Sequence, residues 1–117
     1  MSQLVTYNGV VGYVLEERRV ALGKDQAGLS KATGISQPVS SRLEKGKASI
    51  TIDQLFVLCQ ALEIKPSELI IEAEDKVDGF NEFDAVDVKT TKEVGTGTAL
   101  LTGAAIGAVL GVLLSKK

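Results

Sequence analysis

The stretch DQAGLSKATGISQPVSSRLEKGK, residues 25–47, decides the fold. Asp25 offers a side-chain oxygen to the free amides of a helix that presents Leu29 and Ala32 inward, and Gly34 stands where such a helix stops. Ser36 opens a second helix, in whose first turn Pro38 is tolerated because the amides there have no helical partner. Lys45-Gly46 ends it. Two short helices joined by the connection Thr33-Gly34-Ile35-Ser36 are the sequence form of a helix-turn-helix.

Upstream, Asn8 can cap a preceding helix in which Val11, Leu15 and Leu22 recur along one stripe of a 3.6-residue period, with Gly23 as its stop. Downstream, Thr51 caps a helix whose apolar face is Ile52, Leu55, Leu58, Cys59 and Leu62. Pro66 opens a fifth that turns Leu69 and Ile70 inward. Nothing between residues 9 and 71 alternates like a strand. No cation flanks Cys59, so it reads as a small buried hydrophobe and not a reactive thiol.

In this order the chain resembles the phage-repressor and Cro-like helix-turn-helix family, often called XRE. Arg19, Gly23, Gln26, Leu29, the Gly34-Ile35-Ser36 turn, Ser41, Leu43, Glu44 and Gly46 carry the resemblance, followed by Leu55, Leu58, Ala61-Leu62, Ile64 and Leu69. It implies a salt bridge between Arg19 and Glu44 that ties the first helix to the end of the third. It also implies a DNA phosphate near Gln26 at the start of the second helix, and base contacts from Gln37, Pro38, Ser41 and Arg42 on the recognition helix. A glutamine such as Gln37 suits adenine N6 and N7, and an arginine such as Arg42 suits guanine O6 and N7. Lys45 and Lys47 would hold the phosphate backbone. Two residues depart from the family pattern: Ser40, where a core-facing Ile or Val is usual, and Arg18, where an apolar residue is common. Either is expected to loosen the packing.

The 117 residues contain no histidine and one cysteine, which removes Ser-His-Asp and Cys-His catalysis, Cys/His zinc sites and any intramolecular disulfide. No enzyme activity, cofactor or metal is implied. Residues 1–71 carry eight Lys/Arg against seven Asp/Glu, whereas residues 72–93 carry three against eight. The second segment reads as a flexible acidic linker; Phe83–Val88 alternates, yet an isolated strand has no partner there, so an extended tether is expected. The segment from Val94 to Leu114 is uncharged and long enough for a helix of roughly 31 Å, the thickness of a bilayer core. Ala99, Gly103, Gly107 and Gly111 recur every four residues, a glycine-zipper spacing that lets helices approach closely in lipid. A soluble self-association helix and a re-entrant placement stay open as alternatives.

The fold expected is therefore all-α: a five-helix DNA-binding domain over residues 1–71, the linker over 72–93, and a hydrophobic, membrane-spanning tail helix over 94–117. The function expected is a sequence-specific, dimeric transcriptional regulator of double-stranded DNA, a repressor by resemblance. Its DNA-binding domain would lie in the cytoplasm, as the lack of a secretory signal suggests, anchored to the inner membrane by the tail. Two alternatives are an antitoxin that engages a protein toxin and a membrane-anchored adaptor that uses the fold for protein contacts.

Overall fold

Four helices of the N-terminal body begin at residues whose side-chain oxygens take a free amide hydrogen. In the computed structural model, which describes residues 3–83, 86–91, 101 and 104–115, strand β1 (Gln3–Thr6) runs directly into α1 (Tyr7–Ala21). Thr6, and not Asn8, caps α1: its Oγ1 accepts from Gly9 N–H at 2.9 Å, because the last strand residue already has the extended backbone an N-cap needs. Asp25 caps α2 (Gln26–Thr33), Ser36 caps α3 (Gln37–Glu44), and Thr51 forms a capping box with Gln54 on α4 (Ile52–Ala61).

The core gathers Val10, Val14 and Leu15 of α1, Leu29, Leu43, Leu55, Leu58 and Cys59, and Leu69 of α5 (Pro66–Phe83). The buried stripe of α1 is rotated by about one residue from the expected Val11–Leu15–Leu22, since Val11 and Leu22 are only half-buried and Val10 and Val14 take the centre. Ala32, Ile52 and Ile70, expected inward, are exposed. Burial raises the Cys59 thiol above its ordinary value.

The acidic stretch is no flexible linker over most of its length. Helix α5 crosses residue 72 and continues to Phe83, burying Ala73 and Phe80 on the same side as Leu69, while Glu72, Glu74, Asp75 and Asp78 face solvent. The tether expected around Val86 is strand β2 (Val86–Lys89), paired in parallel with β1 in the register Gln3↔Val86 to Thr6↔Lys89. Buried Val5 and Val86 attach this small sheet to the helical core, which gives a two-stranded pair the hydrophobic support it lacks alone. Among the described residues the architecture is thus mostly helical with one small parallel sheet.

Helix α6 (Ala104–Ser115) packs against α5 and α1, with Ile106 and Leu110 buried in the same core. Among the described residues no helix is long and apolar enough to cross a membrane. Twelve residues span only about 18 Å, and Ile106 and Leu110, expected to face lipid, are buried where this helix meets α5. Of the glycine-zipper positions, Ala99 and Gly103 lie outside the described residues. Gly107 lies against Tyr13 of α1 in the same chain, where an added Cβ would stand 3.0 Å from the phenol oxygen, and a Cβ added at Gly111 would meet no other element within 4 Å among the described residues.

Candidate nucleic-acid interface

Helices α2 and α3 are joined by a turn with internal hydrogen bonds. Gly34, at φ 76°, ends α2 in the left-handed conformation; Ile35 N–H donates to Thr33 Oγ1 at 3.2 Å, and the Ser30 hydroxyl donates to the Ile35 carbonyl. The turn fixes the angle at which α3 leaves the body. Helix α3 then divides into two faces: Ser40, Leu43 and Glu44 are buried, while Gln37, Pro38 and Arg42 are exposed and Ser41 is half-buried.

Glu44 holds the end of α3 in place. Its carboxylate accepts from Arg19 Nε at 2.8 Å, Arg19 Nη2 at 3.1 Å and Gln26 Nε2 at 3.0 Å, so α1 and α2 both grip α3. The bond to Glu44 raises the Arg19 pKa above the ordinary arginine value against an opposing effect of burial, so the guanidinium stays charged. The Gln26 side-chain donor is thereby engaged with Glu44. What this position leaves for an anion is the backbone N–H end of α2, next to the negative Asp25 cap.

Beyond Glu44, Gly46 N–H donates to Leu43 O at 3.1 Å and Lys47 N–H to Arg42 O at 2.8 Å, a Schellman closure around Gly46 at φ 71°. Lys45 and Lys47 flank this rigid corner, both exposed, and no salt bridge among the described residues involves them or Arg42. Between Gln26 and Thr51 the chain carries Lys31, Arg42, Lys45 and Lys47 against a single acid, Glu44, whose charge Arg19 offsets. The net acidity of the whole chain therefore does not extend to this face, and unpaired cations beside exposed amide and guanidinium donors suit a polyanion.

Three supports of this face rest on residues that the sequence pattern leaves silent or suggests for another role. The first is Gly12, over which the end of α3 passes so closely that a Cβ there would run into the Leu43 carbonyl and stand 2.7 Å from the Glu44 carbonyl oxygen. Gly46 makes a similar approach, with its Cβ position 2.5 Å from Gly9 Cα. The second is Arg18, which does not loosen the packing: its Nε donates to Leu62 O and its Nη2 to Glu63 O, each at 2.9 Å. With Lys24 Nζ donating to Ala61 O at 2.7 Å, two cations satisfy the carbonyls left open at the end of α4. The third is Asn8, released from capping, whose Oδ1 accepts from Ile50 N–H at 3.1 Å in the loop after α3. The buried Ser40 Oγ has no hydrogen-bond partner among the described residues.

Residues 14–75 match the Cro/C1-type HTH DNA-binding domain. Among solved structures, the clp gene regulator ClgR from Corynebacterium glutamicum superposes with a TM-score of 0.64 at 23% identity, covering 67% of this chain and 83% of that one. A second structure of ClgR gives a TM-score of 0.57 at 26% identity, covering 59% and 90%. The restriction-modification controller protein C.AhdI from Aeromonas hydrophila gives 0.52 at 29% identity, covering 53% and 94%. No curated protein matches the chain significantly.

Proposed function

The chain belongs to the Cro/C1-type helix-turn-helix DNA-binding domain family, and we propose that it is a transcriptional regulator that reads a DNA sequence through α3 as a homodimer. The observation that carries this reading is the division of α3, whose inner face is locked by the Arg19–Glu44–Gln26 bonds while Gln37 and Arg42 are presented outward. Similar folds in the clp gene regulator ClgR and the restriction-modification controller C.AhdI point the same way. Gln37 and Arg42 would contact base edges, with Pro38 and Ser41 lining the same surface. Lys45, Lys47 and the backbone amides at the start of α2, beside Gln26, would hold phosphates.

Dimerisation is favoured by Ile52 and Phe56, one turn apart on α4 and 69% and 59% exposed, an apolar pair left open on the surface. A two-fold dimer would place two copies of α3 about one DNA turn apart, roughly 10–10.5 bp, on a pseudo-palindromic site.

Selection from a random duplex library, followed by titration of the selected sequence, tests this. Gln37→Ala or Arg42→Ala should cost roughly 1–3 kcal/mol and relax base preference, while Lys45→Ala or Lys47→Ala should weaken all sequences alike and lower the salt slope by about one each. Unchanged binding in both sets defeats the DNA-reading hypothesis. Sedimentation of Phe56→Glu addresses the dimer separately, since loss of a dimer seen for the wild type is the expected result.

A further inference from the structure

Asn8 lies between two parts of the chain that are remote in sequence. Its Oδ1 accepts the Ile50 amide hydrogen at 3.1 Å, and its Nδ2 donates to Thr91 Oγ1 at 2.9 Å, just past the end of β2. One carboxamide thus joins the loop that follows α3 to the C-terminal extension.

The surroundings reinforce this bridge on both sides. On the loop side, Gly46 presses on Gly9, and Gly9 N–H is bound to Thr6 Oγ1. On the extension side, Thr6 is the last residue of β1, whose partner in the sheet is Lys89, and Leu101 N–H donates to Leu4 O at 2.8 Å. The segment Thr6–Gly9 is therefore held by the sheet beneath it and by the lysine-bearing loop above it. A planar amide with an acceptor at one end and donors at the other can hold two such partners at once.

We infer that Asn8 is a positioning residue through which the C-terminal extension sets the loop carrying Lys45 and Lys47, so that the extension tunes backbone affinity for DNA without touching it. The inference rests on the DNA-binding reading for its functional half and on the two hydrogen bonds for its mechanical half. Rigidity of this loop matters because each lysine held beside a phosphate adds a salt-dependent contact, and a loose loop must be ordered at the moment of binding.

The full-length protein tests both halves. Hydrogen exchange of the DNA-free protein reads the Ile50 amide, and titration of a short mixed-sequence DNA duplex over a salt series reads affinity. Asn8→Ala should speed Ile50 exchange and weaken DNA binding by about 3–10-fold, the range expected for the loss of such bonds, with a shallower salt slope. Thr91→Val, which removes only the extension arm, should move both readouts in the same direction by less, and Thr91→Ser should restore wild-type values. A purely structural role for Asn8 would leave the Thr91 variants inert. Unchanged exchange in Asn8→Ala, or unchanged affinity in Thr91→Val when exchange is faster, overturns the inference. Failure of the wild type to bind any duplex removes the DNA reading instead, and the exchange data still decide the mechanical link.

Discussion

Gly12→Ala should destabilise the protein although alanine is the better helix former. Inside a helix the exchange alone is worth about 1 kcal/mol in favour of alanine. Here the new methyl group would enter the space of the Leu43 and Glu44 carbonyls, with the Glu44 oxygen 2.7 Å from the Cβ position. Those atoms cannot swing aside like the tip of a lysine, because the Schellman closure and the Arg19–Glu44 pair fix that end of α3. Overpacking of a filled site costs about 1–3 kcal/mol, and immovable backbone places this case at the upper end, leaving a net loss near 2 kcal/mol. For a chain of this size that lowers Tm by roughly 6–10 °C. Gly79→Ala is the control, since its Cβ would make ordinary contact with Leu110 Cδ2 at 3.9 Å and should add stability. Thermal and urea unfolding by circular dichroism measure both. A Gly12→Ala protein that melts at or above the wild type refutes the close approach of α1 and α3.

Three further changes follow from single groups. Ser40→Ala removes a buried hydroxyl with no partner among the described residues and should raise stability by about 1 kcal/mol in a thermal melt; a lower Tm would mean the hydroxyl is satisfied in solution. Arg18→Leu, which restores the apolar residue common in the family, should cost about 1–3 kcal/mol by leaving the Leu62 and Glu63 carbonyls without their donors, and a gain in urea resistance would contradict that role. Burial raises the Cys59 thiol above its ordinary value of 9.0, so folding favours its protonated form. Stability should therefore be complete below about pH 9 and decline as pH rises further, with Cys59→Ala flattening the first part of that decline; identical slopes in both proteins would exclude the thiol.

The α2–turn–α3 unit is legible because its signals are local: Asp25, Gly34 and Ser36 each act within a few residues, and the structure uses all three as caps. Register in α1 is less so, because Val10-Val11 and Val14-Leu15 offer two apolar stripes one residue apart and only the packing partner selects between them. Gly12 is illegible for a related reason, since its role depends on the path of a helix thirty residues away. The extension shows how charge can mask periodicity. Leu69, Ala73 and Phe80 have the same i, i+4, i+11 spacing as Val11, Leu15 and Leu22, yet the acids between them suggest a solvated linker. Those acids occupy the outer face of the same helix. Pairing of β2 with β1 is harder still, because four residues at one end of the chain meet four some eighty positions later.

The extension also bears on how small the folding unit can be. A body of about 60 residues buries only about 60% of its unfolded surface and is marginal alone. In this chain Ala73, Phe80, Val86, Ile106 and Leu110 lie beyond residue 71 and yet share one core with Val10 and Val14. A fully buried side chain of the larger apolar kind contributes about 1.5–3 kcal/mol, an upper figure from which the ordering of the extension subtracts. A chain ending at Ile71 keeps every helix of the helix-turn-helix but loses Phe80 and Ile106, both wholly buried, and uncovers Val5. With even about 2 kcal/mol lost it should melt roughly 10 °C or more below the full-length protein. It should also bind a hydrophobic dye, because the surface that α6 and β2 cover would face water. Equal melting temperatures and no dye binding would show that the five-helix body is complete without its extension.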